Sequence, residues 1–344
     1  MVLDSARQAW DRTRLMLFRD FAAAKWFTLG FTAWLMHLPG GGTGRMNLNF
    51  GQFPFRGMKR EKAPEAMRSV MDGLSWLQEN INLISVFAIL AVIVGLIILI
   101  VCLWASSRGH FIFLDNVACD RVLIKDPWHR FQTVGDSLFF WRIGFGVAVV
   151  AVLALLGTAT VLAFISMKEH PAMLVAGILS ALFLLGALLA AGVITVLLYD
   201  FVVPLMYRYN MTAMAAWSYF YDLFRIHIGT FIVFLVARMV LQMLVALLIV
   251  AIIIATCCVA MLLFSIPIVG SYLNAVVFLP VYVFFRTFSV VFLEKFHPDY
   301  RMLQPPACIR SGAQTGCGSD LEETVEGGEA GREANTSHGG EPEQ

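Results

Sequence analysis

Charge is scarce in this chain. Only 14% of its 344 residues are Asp, Glu, Lys or Arg, whereas 59% are hydrophobic; a soluble globular chain carries about a quarter charged residues. The formal net charge is +1, so no overall basic field points to nucleic acid as a partner. Six cysteines and seven histidines occur without a C-x-x-C or H-x-x-x-H pairing, so neither a metal site nor a cofactor is expected. The stretch "GGGTGR" (40–45) lacks the G-x-x-x-x-G-K-[ST] spacing of a phosphate loop and reads as a flexible turn. No A-x-A-like cleavage site follows the first apolar run, so a cleavable leader is not expected. Catalysis needs a nucleophile or base with a convergent orienting group. No spacing provides one, and the chain is not expected to be an enzyme.

What is present is apolar length. Mean hydropathy is +0.74, and several runs exceed the ~20 residues that cross a bilayer as a helix. The expected fold class is all-α: a polytopic transmembrane helical bundle of about six spans, with cytoplasmic-face amphipathic helices and a disordered C-terminal tail. The spans fall at about 21–38, 81–105, 140–167, 172–205, 230–264 and 272–294, within an integral membrane domain covering 1–303. The first is short and weakened by Lys25, and its residues fit either a full crossing or a re-entrant segment. From 304 to 344 the chain is rich in Gly, Glu, Ser and Thr, a composition that buries too little apolar surface to fold.

Lys and Arg placement sets the orientation. Arg7 to Lys25, Arg108 to Arg130, Arg208 and Arg225, and Lys295 to Arg310 mark cytoplasmic segments. Both termini then lie inside. One loop dissents: 39–80 carries Arg45, Arg56, Lys59, Arg60, Lys62 and Arg68 yet falls outside. Cys119, Cys308 and Cys317 lie in segments assigned to the cytosol, where free thiols are expected.

Three amphipathic surface segments are expected on that side. In 4–20, Asp4 or Ser5 is placed to cap a basic helix, with Trp10, Leu17 and Phe21 at helical spacing. In 106–139, Phe111, Leu114 and Ala118 share a face, and Asp126-Pro127 starts a second piece. In 211–227, Thr212 is placed as a cap, with Ala213, Trp217, Phe220 and Phe224 on one face. The last two segments each precede a span, so 81–167 and 172–264 read as a duplicated unit. Gly144, Gly146, Gly157, Gly177, Gly186 and Gly192 are expected to let spans approach closely.

The informative residues are the charges inside the spans. Asp200 lies seven residues before Tyr207, about 10 Å from the cytoplasmic edge at the α-helical rise. Arg238 is nine residues beyond Gly229, and Arg286 nine before Lys295; both depths are about 13 Å by the same rise. Gln242 sits one turn above Arg238. Charges in hydrocarbon are costly and face partners or water, so Asp200, Arg238, Gln242 and Arg286 are expected to form an intramembrane polar cluster. Such a cluster serves either as a clasp between helices or as a relay or substrate site. No histidine or second carboxylate is expected at that depth. Pro204 reads as the exit of its span toward the surface.

At "SRGHFIFLDNV", "PWHRF", "SLFFWRIG" and "DFVVPLMYRYNMTAMAAW", over roughly residues 4–301, the chain resembles an uncharacterised prokaryotic family of polytopic membrane proteins. The piece "FVVPLMYRYNMTAMAAWSYFYDLFRIHIGTF" is also similar to part of the membrane domain attached to some glycerophosphodiester phosphodiesterases. There a proline-ended span leads into a cytoplasmic amphipathic helix and the next span. The acidic tail follows here instead of a hydrolase domain, so the resemblance implies a fold and a bacterial inner membrane, with no catalytic residue carried across. The expected function is a non-enzymatic membrane protein organising membrane lipid, or membrane and cytoplasmic protein partners, at the cytoplasmic face. The alternative is a transporter or channel using the Asp200/Arg238/Arg286 level.

Overall fold

A computed structural model describes residues 1–19, 21–38, 81–166, 173–255 and 267–303; the expected tail lies outside them. The chain is an all-α bundle. Its helices are α1 (Val2–Arg14, continued by a π-helical turn Leu15–Arg19), α2 (Ala23–Met36), α3 (Ile81–Ala118), α4 (Lys125–Arg130) and α5 (Gln132–Ser166). There follow α6 (Met173–Leu197), a π-helical turn Leu198–Val202, α7 (Val203–Tyr209), α8 (Ala213–Ile226), α9 (Ile228–Ala255), α10 (Pro267–Val277) and α11 (Leu279–Glu294).

Among the described residues four helices are long and apolar enough to cross a membrane: Ser85–Ala118, Gln132–Ser166, Met173–Tyr209 and Ile228–Ala251. The pair α10 and α11, bent by 57°, makes a fifth if taken as one span. Helix α2 accounts for the difference from the expected six. Its 14 residues reach about 21 Å, short of a hydrocarbon core of about 30 Å.

One end of the bundle gathers the N-terminus, the turns between the long helices and the last described residues. Arg12 Nη2 donates to Ala118 O at 3.0 Å, at the carbonyl end of α3. Lys25 pairs with Asp120 at 2.9 Å, Lys295 Nζ donates to Met1 O, and Arg208 Nε donates to Asp299 O. Burial draws the Arg12 guanidinium pKa down from its ordinary value. Here too Asp115, fully buried, accepts from Arg121 Nη2 at 2.7 Å and from the Tyr207 hydroxyl at 2.9 Å. Asn116 closes the following turn through both its amide groups, to Leu123 O and Leu123 N–H. Cys119, expected as a free thiol, is disulfide-bonded.

The structure redraws the segment 106–139. Instead of breaking near 105, α3 continues to Ala118, and every residue from Ser106 to Cys119 is buried. Phe111, Leu114 and Ala118 are core residues, not an interfacial stripe. No proline stands between the apolar run and Ala118, and the single Gly109 does not interrupt the helical hydrogen bonds. By contrast every residue from Ser85 to Val101 is exposed, as befits a helix end that is hydrophobic all round.

In α1 the packed face is also other than expected. Ser5, Ala9, Arg12, Thr13 and Met16 turn inward; of the expected Trp10, Leu17 and Phe21 only Leu17 is buried, and Leu3 and Phe18 are exposed as well. The inward hydroxyls are satisfied locally: Ser5 bonds Met1 O and Thr13 bonds Ala9 O. The α8 face matches expectation better, with Ala213 and Phe220 buried and Trp217 and Phe224 packed against the core. Its first N–H is met by Ser137 Oγ at 3.0 Å, and the Thr212 side chain makes no capping bond.

Two prolines shape the middle of the bundle. Pro280, in the first turn of α11, cannot donate to Val276 O four residues back. The chain bends there, and Trp26 Nε1 supplies the missing donor to Val276 O at 2.9 Å. Close approach is made at Gly30 and Gly109. A Cβ on Gly30 would stand 2.6 Å from Val276 Cγ2, and one on Gly109 2.9 Å from the Met36 backbone nitrogen. Of the glycines expected to do this, Gly177 is in ordinary contact with Ala163 and Phe164, whereas Gly144, Gly146, Gly157, Gly186 and Gly192 meet nothing within 4 Å.

Candidate functional site

Pro204 acts on the chain as Pro280 does, with a different outcome. The Val203 N–H bonds Leu198 O, five residues back. The next donor in that pattern would go from residue 204 to Tyr199 O, and proline has none. Tyr199 O is therefore released from the helix ladder, and Arg286 Nη1 takes it at 2.6 Å. A backbone carbonyl within a membrane span must find such a donor inside the protein. The π-helical turn Leu198–Val202 presents Tyr199 and Asp200 at this level, all five of its residues being buried.

Around that turn the structure brings the sequence-predicted residues together. Arg238 Nη1 on α9 donates to Asp200 Oδ2. Asp200, Arg238 and Arg286 are 5%, 7% and 7% exposed. Arg286 sits beside the pair through Tyr199 O, and the Arg238 guanidinium lies 5.5 Å from the Phe285 ring centre. Gln242 lines the same cavity as these three.

The sequence reading left out His110, and expected no histidine at this depth. His110 is 2% exposed, stacks on the Tyr199 ring at 4.2 Å, and has Nδ1 3.4 Å from Arg286 Nη2. It comes into reach because α3 runs on past residue 105. Arg142 on α5 joins from the other side, donating through Nη1 to Ser107 Oγ at 2.8 Å and to Ser106 Oγ at 3.3 Å. Ser106 in turn donates to Met36 O at 2.8 Å, fixing the end of α2. The signal for these residues was the polar run "SSRGH" (106–110) directly after an apolar span.

The polar groups line a partly open cavity of about 730 Å³, counting open space at its mouth. Asp200, Arg238, Arg286, His110 and Gln242 form its polar side, and Ile249, Phe278, Val281 and Phe285 its apolar side. The apolar part lies between the upper half of α9 and the bend joining α10 to α11. Below it the two elements close through aromatic rings, Phe234 tilted against Phe292 at 4.4 Å and stacked on Phe288 at 4.8 Å. Among the described residues no group of three or more His, Cys, Asp or Glu converges as a metal site would require.

Helices long and apolar enough to cross a membrane, and a cavity floored by opposed charges, define a polytopic helical bundle with a buried polar cluster. The chain belongs to a family of unknown function (DUF7544), whose match covers residues 1–273. His110, Asp200, Arg238 and Gln242 fall inside that match, and Arg286 lies beyond it. Comparisons with curated proteins and with solved structures found no match.

Proposed function

We propose that this is a non-enzymatic membrane protein that holds lipid, using the cavity between α9 and the α10–α11 bend. The observation that carries the reading is the cavity's two-sided lining, with charged and amide groups at one end and aliphatic and aromatic side chains at the other. In small-molecule sites of this kind a few polar groups fix orientation within a mostly apolar lining. Filling the apolar side with Ile249→Trp should lower the lipid retained after purification in mild detergent, read by mass spectrometry as lipid per chain. Val92→Trp, on the exposed face of α3, should leave it unchanged. Equal retention in both variants would count against the reading.

The end that gathers Met1, the 119–124 turn and residues 295–303 is the cytoplasmic end in this proposal, because Lys and Arg concentrate there. The disulfide at Cys119 argues the other way, since disulfides persist in oxidising compartments. Leu3 is 83% exposed, so a Leu3→Cys variant should react with a membrane-impermeant maleimide only after cells are permeabilised. Labelling in intact cells would reverse the orientation.

A further inference from the structure

The polar side of the cavity is short of acceptors. Arginine has donors alone, so the contact between Arg286 Nη2 and His110 Nδ1 makes Nδ1 the acceptor and leaves the ring proton on Nε2. His110 Nε2 is buried and has no hydrogen-bond partner among the described residues. The remaining contact of Arg286 Nη2 is the Met36 thioether at 3.7 Å, a weak acceptor. A buried N–H donor with nothing to bond is costly enough that native structures rarely keep one.

Charge points the same way. The described residues lining the cavity include two guanidinium groups, Arg238 and Arg286, and one carboxylate, Asp200. Counting these three groups alone, two positive charges less one negative leave a net charge of one. The Asp200–Arg238 contact pairs one guanidinium with the carboxylate, while Arg286 is bound to a carbonyl, a thioether and an imidazole. A buried arginine held by neutral groups is stabilised by an anion brought to it. Stacking on Tyr199 holds the His110 ring in place, so this donor is already oriented.

We infer that the cavity recognises a compact monoanionic head, a carboxylate, carried on a single apolar chain. The head accepts from His110 Nε2–H, with the Arg286 guanidinium across the ring supplying the positive field, and the chain lies along Ile249, Phe278 and Val281 toward the open side. This rests on the lipid-holding reading above and adds to it the charge and the shape of the lipid. The apolar lining is a single strip between the upper half of α9 and the α10–α11 bend, so one chain lies along it and a second chain would lie outside.

The test uses the full chain in a neutral detergent. Oleate supplies the anionic head with a chain, oleyl alcohol the same chain without charge, and inorganic phosphate and acetate the anion without a chain. Oleate is expected to bind at least about tenfold more tightly than the alcohol, the loss expected when hydrogen bonds to a charged group go unmade. Inorganic phosphate and acetate should not displace it at millimolar concentration. His110→Phe keeps the stacking ring and removes the donor, and should narrow the preference for oleate over the alcohol. Equal binding of oleate and alcohol by the unmodified protein would overturn the anion assignment and leave the lipid-holding reading standing. Binding of neither would end both, and displacement of oleate by free phosphate or acetate would turn the site into one for soluble anions.

Discussion

Replacing Asp200 with leucine is expected to destabilise the protein by about 3–5 kcal/mol, the cost of taking one partner from a buried ion pair. Asp200 and Arg238 are both buried and in direct contact, so the remaining guanidinium would keep its desolvation and lose its carboxylate. Arg238→Leu should cost a similar amount for the converse reason. The double variant Asp200→Leu/Arg238→Leu should then be much less damaged than the two single losses added together, because matched apolar groups can replace a buried pair at little net cost. Equilibrium unfolding of the three variants by SDS titration in mixed micelles measures this coupling directly. Single losses below about 1 kcal/mol, the range of exposed pairs, would show that the pair is solvated and that the cluster is no clasp.

The second large effect lies away from the charges. A Cβ on Gly109 would come within 3.0 Å of the Met36 nitrogen and the Leu35 carbonyl carbon, and backbone atoms cannot rotate out of the way. Gly109→Val should therefore force α2 from α3 and cost at least about 1–3 kcal/mol by overpacking. Met36 and His37 line the cavity, so the same shift should reduce the lipid retained. Gly144→Val is the control, because nothing lies within 4 Å of its Cβ position. Melting followed by fluorescence-detected size exclusion should separate the two, and equal melting temperatures would mean that α2 does not pack where the structure places it.

Much of the cluster was legible before any coordinates, and the reason is arithmetic. Helical rise converts sequence distance into depth, so Asp200, Arg238 and Arg286 could be placed at one level from their distance to the ends of their spans. The structure places Gln242 at the same cavity. What the arithmetic missed depended on where helices stop. Ending the first strong span near 105 turned Ser106–Ala118 into a surface segment and put His110 outside the membrane level. The helix in fact carries its polar residues inward, where Arg142 and Met36 O meet Ser106, and Ser107 also bonds Arg142. The inward face of α1 was hidden for a related reason. Ser5, Thr13 and Arg12 look like outward residues until their local bonds, and the Arg12 bond to the end of α3, are known.

Pro204 and Pro280 show what composition alone does not carry. Each can be read from sequence as a point where a backbone donor is lost. Which side chain would replace that donor depends on helices far apart in the chain: Trp26 reaches Val276 O across 250 residues, and Arg286 reaches Tyr199 O across 87. Through the second of these bonds, the released carbonyl anchors Arg286 beside the cavity.

Reactivity of a single cysteine placed at Gln242 tests the central claim most directly. In a background freed of native cysteines, Gln242→Cys should react with a bilayer-soluble maleimide, slowly with a charged thiosulfonate, and less with either once oleate is present. Fast labelling by the charged reagent, unaffected by oleate, would mean that water and not lipid fills the cavity, and would contradict the account.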